Sequence, residues 1–169
     1  MDIHVGEVIA LCGLRGSGQE PLGRAIAGAV PITGGTMALD GQSYRPAGTT
    51  DAVARGIGFA TSNREAEAVA PGLSTRENLF LNPGVWGRRV WQFATTRAER
   101  IRAREIVDQF GVRPTDPELS LDTYSGGNQQ KVILARWFGV GRKVVVLEEP
   151  TMGVDVGAKS DIYAILSAA

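Results

Sequence analysis

Three clusters of residues in this sequence carry chemistry. Gly13-Leu14-Arg15-Gly16-Ser17-Gly18 is a glycine-rich loop between an apolar run and a helical pattern. In a loop of this kind backbone N–H groups converge on an anion, and the helix that follows adds partial positive charge. Ser125-Gly126-Gly127-Asn128-Gln129 also places a hydroxyl and unhindered amides at a predicted helix start. Glu148-Glu149 closes the apolar run Val144–Leu147. One carboxylate at a strand end holds Mg²⁺ and a neighbour orients an attacking water in phosphoryl-transfer sites. Each cluster also has a plainer reading: a turn, a helix cap, and two solvated acids.

The first cluster departs from the working phosphate-loop pattern G-x-x-x-x-G-K-[ST]. Gly13 and Gly18 align, but Gln19 stands where lysine belongs and Glu20 where the Mg²⁺-binding hydroxyl belongs. A carboxylate about 4 Å from a phosphate charge is repelled by roughly 4 kcal/mol at an effective dielectric near 20. Glu20 therefore opposes a triphosphate unless it is screened or turned away. In the first turn of a helix it satisfies the dipole that phosphate would satisfy. Arg15 is the one cation of the loop itself.

The elements that must position these clusters read as follows. Val8–Cys12 is short, apolar and β-branched at its start, which predicts a buried strand with an inert Cys12. Gln19–Val30 carries Leu22, Ala25, Ile26 and Ala29 at helical spacing. Thr36–Leu39 followed by Asp40-Gly41 predicts a hairpin. Ile57–Ala60 is a core strand candidate. Ser74-Thr75-Arg76-Glu77 has capping-box spacing. Thr96–Phe110 is an amphipathic helix with Ala98, Ile101, Ile106, Val107 and Phe110 on its apolar side, stopped by Gly111. Val144–Leu147 predicts a central strand buried on both faces, and Ala158 to about Ala168 a last helix. Residues 64–135 are mainly helical between strand-rich ends, giving segments 1–63, 64–135 and 136–169.

The composition narrows the class. The chain has 169 residues, with 18 Lys+Arg against 18 Asp+Glu, 43% hydrophobic and 21% charged residues. These proportions belong to a folded chain, and zero formal charge argues against nucleic acid as a partner. One cysteine and one histidine, Cys12 and His4, exclude a disulfide framework and a Cys/His metal centre. No apolar run has the roughly 20 residues that cross a bilayer.

The order of the three clusters resembles the nucleotide-binding domain of ABC transporters: Walker A, signature loop, Walker B and D-loop. Ser125-Gly126-Gly127-Asn128-Gln129-Gln130-Lys131 and Gly153-Val154-Asp155-Val156-Gly157-Ala158-Lys159 look like the tandem ATPases of ribose, galactose and xylose importers. The resemblance implies an α/β P-loop NTPase fold, a RecA-like core with an inserted mainly helical subdomain. It implies ATP and Mg²⁺ as cofactors. Gly13, Arg15, Gly16, Ser17, Gly18, Gln19 and Glu20 would form a degenerate Walker A. Ser125, Gly126, Gly127, Asn128 and Gln129 would face ATP held by a second ATP-binding domain, with Asp155 at the same interface. Glu149 would position water, and Glu148 would stand at the metal-linked position, one methylene longer than the usual Asp. Ser62-Asn63-Arg64 stands where a glutamine loop is expected, and Tyr124 replaces the usual Leu before the signature. The implied partners are that second domain, membrane permease subunits and, indirectly, a periplasmic sugar-binding protein. The implied location is cytoplasmic, at the inner face of the membrane.

The same resemblance predicts that these residues are the second domain of a longer protein, inactive or weak alone. An adenine-stacking aromatic before the Walker loop and a switch histidine after the D-loop are both missing from the 169 residues. The rival readings are a non-transport ABC ATPase and a catalytically inactive docking module.

Overall fold

The computed structural model describes residues 1–14, 16–82 and 95–168. They form two compact units, one of Met1–Phe59 with Arg142–Glu148 and one of Ala60–Gly141 with the segment from Glu149 onward.

In the first unit, helix α1 (Gln19–Ile26) follows the glycine loop. Strands β1 (Ala38–Leu39) and β2 (Gln42–Ser43) pair antiparallel. Their connection is Asp40-Gly41, both with positive φ (52° and 73°), the geometry of a type I′ turn that matches strand twist. Helix α2 (Thr49–Ala54) precedes β3 (Ile57–Ala60), which pairs with β4 (Val144–Leu147). Tyr44, Ala52 and Ile57 are buried together, with Ile26, Met37, Leu39, Val144 and Val146 packed around them. Gly23 is buried on α1, and a Cβ there would lie 3.2 Å from Val146 Cγ1. The missing side chain lets α1 lie close on β4.

Several expectations fail in this unit. Residues 8–12 form no strand and are exposed, and Cys12 is exposed with them. A strand exists through the ladder a neighbour offers. The two sheets described here pair only β1 with β2 and β3 with β4. Strand β4 is half-buried along its length rather than fully buried. Helix α1 also ends at Ile26, short of Val30.

The second unit is helical. A π-helical turn (Arg64–Ala68) leads to α3 (Thr75–Leu79), α4 (Thr96–Gln109), a 3-10 turn (Leu121–Thr123), α5 (Gly126–Phe138) and α6 (Val156–Ser167). Leu79, Ala103, Ile106, Val107, Phe110, Val112, Leu121, Tyr124, Val132 and Ala135 make one core. Ala98 and Ile101 lie outside it and are exposed. The core stripe of α4 runs through 103, 106, 107 and 110, a 3-4 spacing that leaves 98 and 101 on the other side. The capping box forms as the sequence predicts: Glu77 N–H donates to Ser74 Oγ at 3.2 Å, and Ser74 N–H donates to Glu77 Oε2 at 2.8 Å.

A buried arginine ties this unit together. Arg136 on α5 is 7% exposed. Its Nε donates to the Asn78 carbonyl and its Nη1 to the Ala68 carbonyl, both at 2.9 Å. Burial pulls its pKa down to about 10. Asn78 is itself fully buried, accepting from Ala70 N–H and donating to the carbonyls of Ala70, Leu73 and Ser74.

Candidate nucleotide-binding site

In the glycine loop, Gly16 and Gly18 have φ of 87° and 100°, a left-handed backbone that a Cβ disfavours. Gly18 is the N-cap of α1 and, as a glycine, provides no side-chain cap. An open cleft of about 380 Å³ lies beside the loop, lined by Ala10, Leu11, Cys12, Ser17, Gly18, Gln19 and Leu22. That volume is at the low end of ligand pockets. Arg15 lies outside the described residues.

The loop is partly closed by its own side chains. Gln19 Nε2 donates to the Leu14 carbonyl at 3.3 Å, and Ser17 N–H donates to the same oxygen at 3.0 Å. A Cβ on Gly13 would meet Ser17 Oγ and Gln19 Oε1, each at 3.3 Å. The amide at position 19 thus folds back over the loop, where a lysine would reach out to phosphate oxygens. Glu20 is exposed and lies 3.7 Å from Arg24 Nε, one helical turn on. The carboxylate is turned toward a cation, which relieves the repulsion that its position implies.

Glu148, at the end of β4, is buried and paired. Arg24 Nε lies 2.9 Å from Glu148 Oε1, and Arg24 Nη2 donates to Glu148 Oε2 at 3.0 Å. Arg24 also stacks over Phe59, with 5.7 Å between its Cζ and the ring centroid. The donor set that Mg²⁺ requires, open carboxylate oxygens and hydroxyls, is not what these residues present. Among the described residues, no three His, Cys, Asp or Glu side chains gather as a metal group. The loop does not fit Mg²⁺. Nothing in the sequence pointed to Arg24: its partner is 124 residues away, and spacing signals reach only a few residues.

In the second unit, Ser125 is the N-cap of α5 and exposed, and its own side chain makes no cap bond. Helices α3, α4 and α6, by contrast, are capped by Ser74, Thr95 and Asp155. Asn128 and Gln129 turn back to hold the loop. Asn128 Nδ2 donates to Ser125 Oγ at 3.0 Å, and Arg113 N–H donates to Asn128 Oδ1 at 2.8 Å. Gln129 Nε2 donates to the Tyr124 and Leu121 carbonyls. Tyr124 sits in the core, its hydroxyl donating to the Asp116 carbonyl at 2.7 Å, and burial raises its pKa. Tyrosine thus keeps the apolar anchor of the usual leucine and adds one bond to the loop before the signature.

Two further contacts fix this loop. Arg64 Nη1 donates to the Gly126 carbonyl at 3.3 Å. Gly127 is buried, and a Cβ there would lie 2.4 Å from Ala158 Cβ and 3.7 Å from Asp155 Oδ2. The starts of α5 and α6 therefore touch at this glycine, bringing Asp155 beside the signature loop. Asp155 Oδ1 accepts from Ala158 N–H at 2.9 Å. Lys131 pairs with Asp161 on α6 at 2.6 Å and donates to the Gly111 carbonyl at 3.0 Å. The sequence gives no role to Arg64, Lys131 or Arg136, because each bonds a distant backbone carbonyl, which any residue provides. Glu149 is exposed with a φ of 41°, a conformation that non-glycine residues adopt rarely and that gathers at functional sites.

The comparisons with known proteins bear on this arrangement directly. The model of the family described as ABC transporter matches residues 1–152. The chain belongs to the ABC transporter family. It is 37% identical over 164 residues to the ribose import ATP-binding protein RbsA 1 of Burkholderia thailandensis, covering 97% of this chain and 32% of that protein. It is 36% identical over 166 residues to the arabinose import ATP-binding protein AraG of Vibrio parahaemolyticus, covering 98% and 33%. The chain thus spans about a third of the length of these curated relatives. Among solved structures, a dimeric post-hydrolysis state of the ATP-binding cassette MJ0796 bound to ADP and Pi shares the fold. Its TM-score is 0.73 at 22% identity, covering 90% of this chain and 65% of that one. The ABC cassette fold expected from the motif order is the fold observed.

Proposed function

We propose that this chain is an ATP-binding part of a bacterial sugar importer, coupling ATP binding and hydrolysis to solute uptake. Its similarity to ribose and arabinose import ATP-binding proteins supports that reading. Its own Walker loop takes up nucleotide weakly and does not hydrolyse it. Its signature loop, Ser125 to Gln129, acts on Mg-ATP held by a second cassette. Asp155 meets that cassette beside the loop, and Glu149 stands at the water-positioning place. Permease subunits carry the complex at the inner face of the membrane, and a periplasmic sugar-binding protein delivers the solute to them. Nucleic acid is not a partner.

The observation that carries the reading is the contrast between the two glycine loops. The Walker loop is closed by Gln19, and its acids are paired with Arg24. The signature loop instead offers an exposed Ser125 hydroxyl at the start of a 13-residue helix. Such a helix end stabilises charge that develops on a transferring phosphoryl group.

Labelled ATP with Mg²⁺ is bound to the chain alone and to the chain mixed with a first-domain cassette of a sugar importer. Turnover is expected only in the mixture, and Ser125→Ala is expected to lower it. Gln19→Lys with Glu20→Thr is expected to raise nucleotide affinity of the chain itself. Strong hydrolysis by the chain alone, or a mixture indifferent to Ser125→Ala, overturns the proposal.

A further inference from the structure

We propose that the Arg24 guanidinium takes the place of the metal at this chain's own Walker loop, so that any nucleotide entering this loop binds without Mg²⁺. In P-loop ATPases the acid at the end of the Walker B strand and the hydroxyl after the loop lysine hold the metal between them. Here both positions are acids, Glu148 and Glu20, and both lie against the same cation.

The pair is built rather than incidental. Glu148 has 7% of its side chain exposed and Arg24 21%. Both oxygens of Glu148 are approached, at 2.9 and 3.0 Å. The planar guanidinium lies over Phe59, which fixes its orientation as well as its position. A half-buried pair of this kind holds far better than an exposed one, because removing either partner leaves a charge without its counter-ion away from water.

The charge count gives the consequence. Mg²⁺ brings two positive charges and open coordination positions for phosphate oxygens. Arg24 brings one charge, and Glu148 already neutralises it. A loop wired in this way keeps α1 fastened to β4 in the absence of metal. It offers little attraction to a triphosphate. The inference rests on the ion pair and on membership of the family, and it stands apart from the proposed action of the signature loop on a partner.

Mn²⁺ is the probe, followed by loss of its free electron-paramagnetic signal when the chain is added. The wild-type chain and Glu148→Gln are expected to remove the same amount of Mn²⁺. The wild-type chain is also expected to melt at the same temperature in Mg²⁺ and in a chelator. Fluorescently labelled ADP, where it binds, is expected to bind within about twofold with and without Mg²⁺. Arg24→Gln is expected to create a Mn²⁺ site that disappears in Arg24→Gln/Glu148→Gln. Arg24→Lys, which keeps the charge, is expected to create none. Should Arg24→Gln not fold, the comparison of wild type with Glu148→Gln still decides. Mn²⁺ uptake by the wild type that Glu148→Gln abolishes overturns the proposal. So does nucleotide bound about tenfold or more tightly with Mg²⁺. Neither result touches the mixed turnover, which reports on Ser125.

Discussion

Replacing Gly127 by alanine tests the packing that brings the signature loop to the D-loop. The added Cβ would lie 2.4 Å from Ala158 Cβ. Carbon atoms rest about 3.5–4.0 Å apart, so the starts of α5 and α6 must separate by roughly 1.1–1.6 Å. Overpacking of this size costs about 1–3 kcal/mol. Alanine's better helix propensity offsets at most about 1 kcal/mol of it. The net loss is about 0–3 kcal/mol, which for a chain of this length lowers the melting temperature by up to about 12 °C. Ala158→Gly removes the atom on the other side. Alone it costs about 1 kcal/mol of propensity. Combined with Gly127→Ala it is expected to restore the fit, with a favourable coupling of about 1 kcal/mol or more between the two sites. Thermal melts of the four chains close the cycle. A double variant no better than the sum of the singles refutes the close approach of the two helices.

The remaining predictions concern pH and thiol chemistry. Hydrogen bonds from the Ser74 hydroxyl and amide hold the Glu77 carboxyl below its ordinary 4.5, and the Arg100 and Arg76 guanidiniums do the same for Glu118. Their stabilisation is complete above 4.5, where the unfolded chain is also ionised, and is lost as pH falls through the lower folded values. The melting temperature should therefore fall with acidification in that window, and Glu77→Gln should flatten the slope; a slope identical to wild type would remove the capping box from the account. Cys12 should react with a bulky thiol reagent in the native chain at the rate of an open thiol, and reaction only after denaturation would contradict its exposed position.

What could be read from the sequence was the local part of the structure. The capping box at Ser74 and the Asp40-Gly41 turn each depend on contacts within four residues. Their residue types specify them outright. The positions of the two glycine loops were legible for the same reason, since each needs only a loop running into a helix. The Val8–Cys12 run fails because β-branched apolar residues express a preference that only a pairing partner realises. Ile101 fails because helical spacing alone admits two neighbouring stripes, and the core chooses between them. Glu148 was placed correctly at a strand end but given the wrong partner. The cation beside it comes from the other end of the chain and leaves no pattern there.

The two loops also show how one sequence motif can be kept while its chemistry is withdrawn. A phosphate loop is a set of amides that must be satisfied by something. At Gly13–Gly18, Gln19 donates back to the Leu14 carbonyl, and Arg24 answers the acids Glu20 and Glu148. At Ser125–Gly127 the side chains of Asn128 and Gln129 turn backward to the loop's own support, while Arg64 holds the Gly126 carbonyl from behind. Ser125 is left exposed there with no cap bond from its own hydroxyl, while Gly127 is buried behind it. In the first loop a side-chain amide bonds the loop's own carbonyl. In the second the polar side chains hold the frame, and the difference follows from the direction in which a few short side chains point.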